Sequence, residues 1–179
     1  DGDYEKARAA LNATDAELNS ASSRLSSDLL NQTAAIDSQV RSLNSEIARA
    51  EATVTSKQTE KESLSEEIAT LTEEKATLAA KEILTAEETA RLAEIETKLT
   101  ADNKELTEIQ SDINEAQATV NSREDQIATL QSQRAALTTQ MSSAEAEIAG
   151  SKSSITSQLS ELDVSEESAK AEADLEALI

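Results

Sequence analysis

The sequence has no proline, cysteine, histidine, tryptophan or phenylalanine, and only one tyrosine, one methionine and two glycines. Each absence excludes something. Zinc, iron–sulfur and haem sites draw on His or Cys, as do catalytic triads and thiol nucleophiles. Disulfides are impossible, so the cysteine count carries no message about redox compartment. With aromatics at 1 %, there are too few large side chains to fill a thick globular core. No apolar run approaches the ~20 residues of a membrane span, and no signal-peptide core is visible. The chain opens on Asp1 rather than Met, as expected of a processed or excised segment.

What is present is acid. The 179 residues carry 36 Asp and Glu against 16 Lys and Arg, a net charge of −20. Such a surface repels phosphate backbones and anionic membranes, so no nucleic acid partner is expected. Acidity with few aromatics also fits a disordered chain. The spacing of Leu and Ile decides between disorder and long helices.

The first stripe is Ile36, Val40, Leu43, Ile47, Ala50, Val54, Lys57, Lys61, Leu64, Ile68, Leu71, Lys75 and Leu78, in steps of four and three. The second is Leu92, Ile95, Leu99, Asp102, Leu106, Ile109, Ile113, Ala116, Val120, Arg123, Ile127, Leu130, Arg134, Leu137, Met141, Ala144 and Ile148, in steps of three and four. Both are sustained heptads of coiled-coil type.

Thr85-Ala86-Glu87-Glu88, near the chain's midpoint, is a T-x-x-E capping box. Leu84 stands where a hydrophobic staple would begin, but its expected partner, Thr89, offers only a methyl. A cap there means a hairpin, unless the box is a chance match inside one continuous helix. If the chain folds back so that facing residue numbers add up to 170, the stripes mesh. Leu78 meets Leu92, Leu71 meets Leu99, Leu64 meets Leu106, Leu43 meets Ile127, Val40 meets Leu130 and Leu29 meets Met141. Every charged seam residue then faces an aliphatic one: Lys75 faces Ile95, Asp102 faces Ile68, Lys61 faces Ile109, Lys57 faces Ile113, Arg123 faces Ile47 and Arg134 faces Ile36. Basic stems can lie on the partner helix with their heads in water. A parallel homodimer would stack each lysine on its own copy.

The expected fold is therefore all-α: a long antiparallel two-helix coiled-coil hairpin with a short C-terminal helical segment. Residues 1–84 form the first helix, 85–162 the second, and 163–179 a short helix or docking tail capped by Asp163 or Ser165, or else a frayed continuation of the second helix. The stripe slips between Leu25 and Leu29, a stutter-like shift. Beyond it, pairs such as Leu25 with Ile148 and Leu11 with Leu162 add up to 173. Gly150 lies near this change and would allow a bend or a close approach, or be a tolerated surface glycine.

Nucleotide, zinc and EF-hand motifs are missing. Adjacent carboxylates such as Glu73-Glu74 lie off the seam with no pocket to perturb them. No catalytic, cofactor-binding or metal residue is expected, and the chain reads as a non-enzyme. The predicted functional residues are the seam itself and an assembly patch, Leu175, Leu178 and Ile179, which has no partner within the hairpin.

Leu11-Asn12, Leu18 and Arg24-Leu25-Ser26-Ser27-Asp28-Leu29 resemble the N-terminal helix of bacterial flagellins, where a leucine repeat precedes R-L-S-S-G-L. Asp163-Val164-Ser165-Glu166-Glu167-Ser168-Ala169 is similar to the acidic segment near flagellin C-termini. Asp28 replaces the motif glycine, and the N-S-A-x-D-D-A-A continuation is missing. The resemblance implies a secreted subunit whose terminal helices pack into a filament. The expected function is a self-assembling structural subunit, extracellular or surface-associated, with copies of itself as partners. The alternative is a rigid spacer or adaptor arm of a larger protein.

Overall fold

The computed structural model describes residues 2–179. It consists of two α-helices packed antiparallel, α1 (Gly2–Ala79) and α2 (Ala86–Leu178), and is strand-free among the described residues. Proline is absent and the two glycines sit in helical backbone with no positive φ among the described residues. Nothing therefore interrupts either ladder. Acidic side chains open both helices, Asp3 and Glu5 in α1, Glu87 and Glu88 in α2. There they oppose the positive end of the helix dipole.

The turn is built by local hydrogen bonds. α1 closes with the Ala80 amide donating to the Ala76 carbonyl at 3.1 Å, then tightens as the Lys81 amide donates to Leu78 at 3.2 Å. α2 opens on the capping box. The Glu88 amide donates to Thr85 Oγ1 at 3.1 Å, and the Thr85 amide donates to Glu88 Oε1 at 3.2 Å. Lys81 Nζ bonds the same Glu88 carboxylate, tying the end of one helix to the start of the next. Leu84 does not rely on Thr89. It packs against the buried cluster of Leu71, Leu78 and Ile95.

Contacts divide the chain into two units. The first to describe is Gln39–Thr129, which contains the turn. Its seam has two cores. Leu71, Leu78 and Ile95 are buried, with Leu84, Leu92 and Leu99 against them. Leu64, Ile109 and Ile113 are buried, with Val54, Ile68 and Leu106 against them. Ile95 is the one fully buried large side chain among the described residues, at 0 % exposure. Val40, Leu43, Ile47, Val120 and Ile127 are half-buried along the rest of the seam.

The other unit joins the part of α1 up to Ser38 with Leu130–Ile179. Ile36 and Ile155 are buried here, and Leu29, Leu130, Leu137, Met141 and Ile148 are half-buried. Two expectations are corrected in this unit. Of the two readings of 163–179, the separate helix falls and the continuation holds, because α2 runs unbroken to Leu178. Asp163 caps nothing; it and Glu166 receive Arg8 of α1 at 2.8 and 2.5 Å, while Tyr4 Oη donates to the Ser165 carbonyl at 3.4 Å. Gly150 provides no close approach either. A Cβ added there meets nothing within 4 Å, so it is a tolerated surface glycine.

Candidate interaction surfaces

Three features stand out on these two helices: the polar flank of the seam, one buried carboxyl, and an outward apolar stripe near the end of α2.

The basic seam residues do not simply extend their heads into water. In the turn-containing unit, Lys75 reaches Glu96 at 3.8 Å, Lys57 reaches Asp112 at 3.5 Å and Arg123 reaches Glu46 at 2.5 Å. Lys61 donates to Gln110 at 2.7 Å. In the other unit, Arg134 reaches Asp37 at 3.2 Å. Each acceptor is the immediate sequence neighbour of the aliphatic residue that the cation faces. The head turns to the carboxyl or amide beside that aliphatic residue. Arg91 and Glu74 add a two-pronged pair, 2.9 Å on each prong, which holds Glu74 below the ordinary carboxylate range. These acceptors were missed in the sequence, although the offset of one residue was there to be counted.

Asp102 is the buried polar residue of the seam, 6 % exposed, and its Oδ2 has no hydrogen-bond partner. Burial, then the nearby Glu67 carboxylate, raises its pKa. Glu67 is itself held by Lys98, whose Nζ lies 2.6 Å from Oε1, and its pKa is lowered chiefly by that hydrogen bond.

The predicted assembly residues are all on the surface. Leu175 is 62 % exposed, Leu178 84 % and Ile179 fully exposed. Every residue from Glu167 onward is exposed. The seam on this part of α2 runs through Ile155, Leu159, Leu162 and Glu166, all buried or half-buried. Val164, Ser168, Ala171, Leu175 and Leu178 repeat the same four-three spacing two residues further on. At ~100° per residue, that puts them roughly opposite the seam. α1 carries an outward stripe of small residues in the same unit: Ala9, Ala13, Ala16, Ser20, Ser23 and Ser27 are all exposed.

No helix among the described residues is long and apolar enough to cross a membrane. In comparison with known proteins, no family model, curated sequence or solved structure matches this chain.

Proposed function

We propose that this chain is a structural coiled-coil subunit that assembles with copies of itself into a filament or fibre, outside the cell or on its surface. The observation that carries the reading is the outward stripe of Val164, Leu175 and Leu178, each more than 60 % exposed. A heptad stripe that its own hairpin leaves exposed is suited to another helix. The exposed alanines and serines of α1 leave room for a helix to approach closely. The resemblance to flagellin ends supports the same reading, since both resembling stretches belong to one unit. Removing residues 167–179 tests it. The expected result is an unchanged helical melt with loss of concentration-dependent assembly in sedimentation. Assemblies of full size from the shortened chain would overturn it.

The turn-containing unit supports a second reading, a rigid spacer or adaptor arm of a larger protein. Its only exposed large hydrophobic residue is Ile83 in the turn, at 86 %, so it offers little for self-association. An arm stays monomeric at every concentration in the same experiment.

A further inference from the structure

Asp102 occupies a seam position where burial favours an apolar side chain. It faces Ile68 across the hairpin, with Leu99 and Leu106 as its seam neighbours on α2. An ionised carboxylate at such a place loses its hydration, and an oxygen without a partner loses the most. The charged groups around it are few. α1 presents Glu67, the sequence neighbour of Ile68, with its Oε1 2.6 Å from Lys98 Nζ; α2 presents Lys98 one turn before Asp102 and Glu105 nearly one turn after. Lys98 is engaged by Glu67, which leaves Asp102 between two like charges and no free cation.

We propose that the Asp102 and Glu67 carboxyl groups hold one proton between them across the seam, and that taking up this proton tightens the hairpin in mild acid. The proton comes from water and binds Asp102, the member deprived of solvent. The new O–H donates to the Glu67 carboxylate, which stays ionised because Lys98 holds it. One step thus removes a buried charge, ends a carboxylate–carboxylate repulsion, and gives Asp102 a hydrogen bond between the helices. The device stands whichever functional reading holds, because it lies in the turn-containing unit and needs no second copy.

The test is a carboxyl-carbon NMR titration of the full chain, with and without Glu67→Gln. Asp102 is expected to titrate above the exposed aspartates, and its midpoint is expected to fall when Glu67 becomes an amide that donates to the carboxylate. A midpoint level with the exposed aspartates overturns the proposal. A raised midpoint that Glu67→Gln leaves in place also overturns it, since burial alone would then account for the shift. Melting of Asp102→Asn beside the parent gives an independent reading. The variant should melt higher at neutral pH, and the gap should close as pH falls towards 4; a gap that ignores pH counts against a shared proton.

Discussion

At Ile95 the seam closes completely, while on the outer face of α1 Leu30 stays 69 % exposed. The two are similar in size, so their environments alone set the consequence of removing them. Ile95→Ala deletes a fully buried side chain from the cluster with Leu71 and Leu78. It should destabilise the protein by about 2–5 kcal/mol, read by urea unfolding. Leu30→Ala should stay within about 0.5 kcal/mol of the parent. Gly150→Ala should act in the opposite direction. The added methyl meets no neighbour, so the gain in helix propensity, about 1 kcal/mol, should appear as a higher melting temperature. The many threonines are accommodated by a local device: hydroxyls such as those of Thr53, Thr97 and Thr129 donate to the carbonyl four residues back, which keeps them satisfied on exposed helix faces.

At the scale of the element, the decisive feature is the start of α2. Thr85 and Glu88 satisfy each other's amides, so Thr85→Ala should cost about 1 kcal/mol of stability in chemical unfolding. This cap and the heptads were legible in the sequence because each is a local pattern: a fixed spacing of three, or a repeat of seven. The unbroken run of α2 past Leu162 was legible only as one of two alternatives, beside a separate short helix. Asp163, Ser165 and Glu166 look like a helix start when read along the chain. Their roles are set across the hairpin by Arg8 and Tyr4, which no local window contains. The partners of the basic seam residues were hidden for the same reason. The facing aliphatic follows from the register, but the side to which the head turns is a three-dimensional choice.

For the whole molecule, the perturbed carboxyls divide by sign. Glu74, held by Arg91, and Glu88, held by Lys81 and the Thr85 amide, have folded pKa values below their usual 4.5. Their contribution is present above that value and is lost as pH falls through the lowered one. Asp102 is raised above its usual 3.8. Its folded form binds the proton more tightly than its unfolded form, so stability is lost as pH rises through the folded value and is regained on acidification. Charge repulsion at −20 also relaxes as acid is added. The melting temperature, followed by circular dichroism at fixed ionic strength, should therefore rise from pH 7 into the mildly acid range. Below the usual glutamate value it should fall again as the glutamate pairs are lost.

The six residues between α1 and α2, Ala80–Thr85, also act as an alignment stop. A heptad seam is nearly degenerate, because sliding one helix past the other by seven residues brings aliphatic against aliphatic again. Asp102 is a point of frustration in that ladder. In the native alignment it faces Ile68 and keeps an unpartnered oxygen. Slid one heptad either way, it would face Lys75 or Lys61 instead. The most polar point of the seam thus favours the wrong alignments, and the short covalent connection overrules it. Inserting a flexible glycine–serine stretch between Ile83 and Leu84 should release that constraint. Distances between spin labels placed by Leu43→Cys and Ile127→Cys should then change from one narrow population to several longer ones, each heptad of slide offsetting the labels by about 10 Å along the helix axis at 1.5 Å per residue.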